Sequence, residues 1–84
     1  MEIIVRKATE GEKVYMMREP IWESGVAEFN WHYPSAETCY IIEGQATVEY
    51  AGGKASFGTG DLVTFPKGMD CVWKVTIPMR KHFR

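Results

Sequence analysis

Two side chains of this sequence could take part directly in chemistry: the carboxylate of Glu37 and the thiol of Cys71. A carboxylate that faces the inside of a pocket loses solvation, which favours its neutral form and suits a general acid or base. A thiol can act as a nucleophile or bind a metal. We therefore predict Glu37 and Cys71 as catalytic residues. The alternatives are a Glu37 that only hydrogen bonds Tyr33 or a backbone amide, and a Cys71 that is a small buried hydrophobe.

Aromatic side chains accompany these two residues and could form the walls of a pocket. Alternate residues of the stretches 26–33 and 71–77 are apolar, and a strand places alternate side chains on one face. The predicted ligand-pocket residues are Trp31, Tyr33, Phe65 and Trp73. Aromatic residues line many small-molecule sites, and equally they could fill the core of the domain.

Short strands are the elements that would position these residues. Alternation of apolar and polar residues predicts strands over 26–33, 37–42, 45–50, 55–57, 62–65 and 71–77. Gly52 and Gly53 predict a hairpin turn, and Pro78 is expected to interrupt the last long strand. Residues 11–18 fit either one helical turn or a strand. About seven to nine short strands with closely spaced turns predict an all-β antiparallel barrel or sandwich.

Length and charge limit the class of protein. The chain has 84 residues, which fits one domain over 1–84, and 45% of them are hydrophobic. A domain this small buries a modest fraction of its surface, so a homodimer is expected. The net charge of -1 argues against a nucleic-acid partner. The basic run 80–84 is predicted to be a solvated strand end.

The sequence shows no export or membrane signal. Residues 1–5 lack the basic and apolar regions of a signal peptide, and no apolar run approaches the roughly 20 residues of a membrane span. We therefore expect a cytoplasmic location and no membrane partner. Reduced thiols at Cys39 and Cys71 follow from that location.

Two blocks of sequence carry a family resemblance, Glu37 to Gly44 and Gly60 to Gly68. The first resembles the end of motif one of the cupin superfamily, a Glu-x-x-Tyr followed by two aliphatic residues and Glu-Gly. The second resembles the Gly-Asp-x₄-Pro-x-Gly core of motif two. From about residue 20 onward the chain is similar to small single-domain cupins grouped with the (S)-ureidoglycine aminohydrolase cupin domain. The resemblance implies an RmlC-like jelly-roll β-barrel.

The resemblance also bears on metal binding. Metal-binding cupins usually supply two histidines and one glutamate from motif one and one histidine from motif two. By position the glutamate matches Glu37, the paired histidines fall on Trp31 and Tyr33, and the last histidine falls on Cys71. The usual metal site is therefore implied to be mostly absent, with Glu37 and Cys71 the only matching donors. We assign no metal ligand and leave the cofactor unknown.

Two alternatives to this alignment stay open. A longer spacer would place the paired histidine positions on Asn30 and His32, which the strand alternation points outward. A softer metal could be held by the two matching donors with Tyr33, or with a nitrogen from His32 or His82.

Three functions are compatible with these residues. The first is a small-molecule-binding cupin with an aromatic-lined pocket, for which catalysis stays open. The second, implied by the resemblance, is an enzyme acting on ureidoglycine or a related small amine or amide, with or without a metal. The third is a non-catalytic structural or regulatory dimer. One fold hosts many chemistries, so the motifs favour the fold more strongly than any of these activities.

Overall fold

Seven strands and one short helix make up the protein in a computed structural model that describes residues 1–84. The strands are β1 (Ile4–Lys7), β2 (Ile21–Ser24), β3 (Ala27–His32), β4 (Glu37–Tyr50), β5 (Gly53–Gly58), β6 (Asp61–Phe65) and β7 (Asp70–Phe83). The helix, α1, spans Glu10–Met16. Every strand pairing is antiparallel. The all-β antiparallel prediction is confirmed, apart from the helix.

The two longest strands, β4 and β7, pair with each other and organise the whole sheet. The first part of β4 also pairs with β6, and its second part pairs with β5. In the same way, the first part of β7 pairs with β3 and its last part pairs with β2. Each long strand thus serves two groups of neighbours, which gives the layered arrangement of a jelly-roll barrel.

Both long strands bend where Gly44 lies opposite Pro78. The β4–β7 register shifts between Ile41 and Ala46, which marks a series of bulges. Gly44 has a φ of 103°, and a Cβ added there would lie 2.7 Å from the Cα of Met79, so the bend needs glycine. Two predictions were therefore wrong: residues 37–50 form one strand rather than two, and Pro78 does not interrupt β7. The bulges absorb both irregularities.

The main core lies between the layers and contains fourteen buried side chains. Cys71, Trp73 and Val75 are buried, as the alternation predicts. Ile77, predicted on the same face, is exposed because it lies between two register shifts at the bend. Burial of the alternate residues Met79 and Lys81 then resumes along β7.

The helix resolves the ambiguous stretch near the N-terminus. Thr9 caps it with a capping box, in which the Thr9 hydroxyl accepts from the Glu12 amide and the Glu12 carboxylate accepts from the Thr9 amide. Its one buried residue, Met16, packs with Tyr40 and Leu62 on the outer side of the sheet. No helix in this structure has the length and apolar character needed to span a bilayer.

Candidate ligand-binding site

A cavity of about 520 Å³ opens between β2, β3, the start of β4 and the ends of β7. Its size falls within the range of small-molecule sites in proteins. It is lined by Trp22, Ser24, Phe29, Trp31, Tyr33, Glu37, Trp73, Lys81 and Phe83. All three tryptophans of the chain are in this set. We call this cavity the aromatic pocket.

The walls of the aromatic pocket are held in place by ring contacts. Trp73 is central: its ring centroid lies 5.8 Å from that of Trp22 and 6.1 Å from that of Phe29, to which it is nearly parallel. The indole N–H of Trp73 donates to the Tyr33 hydroxyl over 3.1 Å. Contacts of this kind add specific attraction to the burial of the rings and favour one arrangement of these side chains.

A buried lysine forms the polar end of the pocket. Only 5% of Lys81 is exposed, and its Nζ lies 3.3 Å from Glu37 Oε2 and 3.2 Å from Cys39 Sγ. The same ammonium lies 4.6 Å from the centroid of Trp73 and 5.0 Å from that of Trp22, within cation–π range. Sequence reasoning missed this residue, because it predicted a solvated strand end for 80–84.

The prediction of a solvated strand end at 80–84 was wrong because the strand does not stop at Pro78. β7 continues through Pro78 to Phe83, and its alternate residues remain inward. Lys81 therefore faces the pocket, while His82 faces the opposite side, where it is buried and its Nδ1 lies 2.9 Å from the carbonyl oxygen of Glu19. Continuing the alternation of 71–75 past Pro78 would have placed Lys81 on the same face as Trp73.

Glu37 lines the aromatic pocket, and its hydrogen-bond partners differ from Tyr33 and the backbone amide that the sequence suggested. Its Oε2 accepts hydrogen bonds from the Lys81 ammonium and from the Cys39 thiol, the latter over 3.1 Å. Desolvation is the largest cause that raises the pKa of Cys39, to about 12, and the nearby Lys81 charge only partly offsets it. The thiol therefore stays protonated at neutral pH and acts as a hydrogen-bond donor to Glu37.

Cys71 is not brought into the aromatic pocket with Glu37. It lines a neighbouring open depression with residues that include His32, Glu49 and Asp70, and its thiol donates weakly to the Trp31 carbonyl at 3.6 Å. Burial is the main cause of a raised pKa at Cys71, which disfavours the reactive thiolate. The structure thus separates the two residues that the sequence suggested as a catalytic pair.

The other predicted pocket residues take three different positions. Tyr33 and Trp73 line the aromatic pocket and are almost completely buried. Trp31 lies at its rim with 50% of the residue exposed, and contacts the neighbouring depression as well. Phe65 does not line the cavity: it is fully buried and stacks on Tyr33 with centroids 4.6 Å apart, so it supports the wall from behind.

The residues present do not fit the metal centre of metal-binding cupins. No three side chains among histidine, cysteine, aspartate and glutamate converge on one point. Glu37 is paired with an ammonium that would repel a metal cation. Burial raises the pKa of the Tyr33 phenol, which keeps it from serving as an anionic donor. The His32 ring is hydrogen bonded to Asp70, whose Oδ1 lies 2.8 Å from His32 Nδ1.

Comparison with known proteins agrees with this architecture. The family model of the EutQ-like cupin domain matches residues 10–83. A DUF861 family protein from Thermotoga maritima is 45% identical, with a TM-score of 0.93, over 99% of this chain and 98% of that one. No curated protein sequence matches the chain.

More distant structures share the fold. A DUF861 family protein from Pseudomonas syringae is 28% identical with a TM-score of 0.67, over 75% of this chain and 28% of that one. The EutQ protein of Clostridium difficile is 21% identical with a TM-score of 0.70, over 96% of this chain and 64% of that one. The predicted cupin fold is confirmed, and the chain belongs to the family of EutQ-like cupin domains.

Proposed function

We propose that this cupin binds a small, flat organic molecule in the aromatic pocket. The observation that carries the proposal is the combination, in one cavity, of six aromatic side chains and a buried Lys81–Glu37 pair. Known small-molecule sites have the same composition, with mostly apolar walls and a few polar groups placed to orient the ligand.

The polar end has hydrogen-bonding capacity left for a ligand. An ammonium has three N–H donors, and Lys81 uses two of them on Glu37 and Cys39. A carboxylate has two oxygens, and Glu37 uses only Oε2 to accept from the Lys81 ammonium and from the Cys39 thiol. One donor and one acceptor oxygen thus remain, so a ligand with a polar group at one end of a flat body would satisfy both.

Tryptophan fluorescence offers a direct test, because all three tryptophans line the pocket. We expect aromatic or heteroaromatic compounds with a single polar substituent to change the emission in a saturable way. Trp31→Ala should weaken that binding, since Trp31 forms the rim. Tyr15→Ala is the matched control, because Tyr15 is similarly exposed but lies on α1, away from the pocket. Equal effects of the two variants would contradict binding at this site.

A second candidate is the enzymatic function implied by the resemblance to ureidoglycine aminohydrolase cupins. The supporting observation is that Glu37 and Lys81, 3.3 Å apart, offer an acceptor and a donor that match the N–H and C=O of a ureido group. Ammonia release from ureidoglycine by the purified protein is the test. Release that equals that of a Lys81→Met variant would exclude this activity.

We further propose that the protein acts as a cytoplasmic homodimer. Support comes from its small size and from large exposed apolar side chains, among them Ile21, Val26 and Ile77. Light scattering coupled to size-exclusion chromatography tests the dimer, and a mass of one chain at micromolar concentration would refute it. Fractionation of cells that express the protein tests the location.

A further inference from the structure

We propose that Lys81 is a carbonyl-capturing residue, which condenses with a flat, uncharged aldehyde in the aromatic pocket to form an iminium ion, with Glu37 moving the proton. This inference rests on the binding function proposed above and gives that site a specific chemistry. It assigns Lys81 a covalent role and places Glu37 beside it as the acid–base group.

The Lys81 amine is placed where a ligand in the aromatic pocket would meet it. Lys81 is the only lysine that lines the pocket, and its Nζ lies 5.0 Å from the ring centroid of Trp22 and 4.6 Å from that of Trp73. An aldehyde whose ring stacks along the walls would present its carbonyl carbon to this nitrogen. Holding two reacting groups together in this way replaces a bimolecular encounter by an intramolecular one.

Glu37 supplies the proton transfers that condensation needs. A protonated amine cannot attack a carbonyl, so its proton must first move to a nearby base. Glu37 Oε2 lies 3.3 Å from Nζ, within reach for that transfer.

The complete step balances without any oxidant or cofactor. Nζ gives one proton to Glu37, and its lone pair forms the N–C bond as the carbonyl electron pair moves to oxygen. A second proton of Nζ moves to that oxygen, which gives the carbinolamine. The C–O bond then breaks, the nitrogen lone pair forms C=N, and the hydroxyl leaves as water with the proton held by Glu37. Ammonium and aldehyde have become iminium and water.

The charges of the site favour this product. The iminium nitrogen is positive, as the ammonium was, so it retains the contact with the Glu37 carboxylate and the cation–π contacts with the two indoles. The pair is neutral as a whole, and Lys81 is the only cationic residue that lines the pocket. A second charge on the ligand, such as the carboxylate of a keto acid, would have no partner, which is why the ligand class is an uncharged aldehyde.

Reductive trapping tests the proposal. The intact protein is treated with less than one equivalent of benzaldehyde and with sodium cyanoborohydride, and the benzylated lysine is located by peptide mass spectrometry. Lys74 is an internal control, because it is also paired with a glutamate, Glu49, at 3.1 Å but is far more exposed. We expect Lys81 to be labelled faster than Lys74, although Lys74 is the more exposed of the two lysines.

Two variants separate chemistry from folding. Lys81→Arg keeps a cation beside Glu37 but removes the primary amine, so the label at position 81 should disappear. Glu37→Gln should slow labelling at Lys81 by roughly a hundredfold, the usual contribution of a positioned proton-transfer group. Tryptophan emission and circular dichroism verify that each variant is folded. Benzyl alcohol, which has the same ring and no carbonyl, measures non-covalent binding in parallel.

Each outcome decides the proposal. A label at Lys81 that depends on Glu37 supports it. Saturable binding of benzyl alcohol together with a label spread over surface lysines overturns it and leaves the proposed binding function intact. The absence of both benzyl alcohol binding and Lys81 labelling overturns it and also counts against an aromatic ligand in this pocket.

Discussion

Replacement of Lys81 by methionine most directly tests whether the Lys81–Glu37 ion pair stabilises the protein. Methionine keeps much of the apolar stem of lysine but removes the ammonium. Glu37 then faces the aromatic walls with only the Cys39 thiol as a partner. The companion change, Glu37→Gln, removes the carboxylate charge while it keeps the shape, so that the double variant contains neither charge.

The contacts of Lys81 set the expected loss in the free energy of unfolding. Lys81→Met loses the charge-assisted hydrogen bond to Glu37, worth roughly 1.5–3 kcal/mol, and a weaker one to the Cys39 thiol. It also loses the cation–π contacts with Trp22 and Trp73, worth about 0.5–1 kcal/mol each. Removal of one partner from a fully buried ion pair costs about 3–5 kcal/mol. The Glu37 side chain retains 23% exposure, so water recovers part of that cost. We expect a loss of about 2–3 kcal/mol in the free energy of unfolding.

The double variant should recover part of that loss, because no uncompensated charge remains, while the cation–π contacts stay lost. Urea denaturation of wild type, both single variants and the double variant closes a double-mutant cycle. We expect a coupling of about 1–2 kcal/mol between the two positions. The same cycle on Lys74 and Glu49, an exposed pair, should give about 0.5 kcal/mol or less. The reasoning is refuted if the two couplings are equal.

Three further predictions concern the fold. Gly44→Ala should cost about 3 kcal/mol in urea denaturation, from its positive φ and the contact with Met79, whereas less than about 1 kcal/mol would contradict the bulge geometry. Phe65→Ala should cost about 3–5 kcal/mol, and Phe65→Leu clearly less, because the ring is fully buried against Tyr33. The free energy of unfolding should fall as pH rises from the ordinary thiol value of 9.0 towards about 12, because burial raises the pKa of Cys39 and the unfolded chain releases its proton first. Cys39→Ala should flatten that part of the pH profile more than Cys71→Ala does, and equal slopes would contradict the assignment.

The fold was accessible from sequence because its determinants are local and repeated. Alternation located most strands, and two motifs at fixed spacing indicated how the strands assemble. Strands β1 and β2 were not predicted, and the wrong strand boundaries fall at the bend, where Gly44 and Pro78 lie opposite each other. Glycine and proline usually end a strand, and only the pairing of β4 with β7 shows that here they form a bulge within continuous strands.

The site was less accessible, since it depends on partners distant in sequence. Glu37 was predicted from a motif, but its contact with Lys81 joins residues 44 positions apart. Lys81 lies in a basic run, and a charged run near a chain end is usually solvated. The sequence also could not show that Cys71 and Glu37 line different cavities, because position in a motif does not indicate which of two neighbouring cavities a side chain lines.

The Lys81–Glu37 pair also explains how the pocket can keep a carboxylate without a metal. An unpaired carboxylate among aromatic rings is costly, and in metal-binding cupins a cation at this position would compensate it. By the resemblance, Glu37 occupies the one motif-one position at which the usual ligand is retained. Here the compensating positive charge is the ammonium of Lys81, held by the indoles of Trp22 and Trp73. An ammonium cannot activate water as a metal does, but it can exchange protons with Glu37 and form bonds to carbon. The chemistry to be tested in this pocket is therefore that of an amine and an acid rather than that of a Lewis acid.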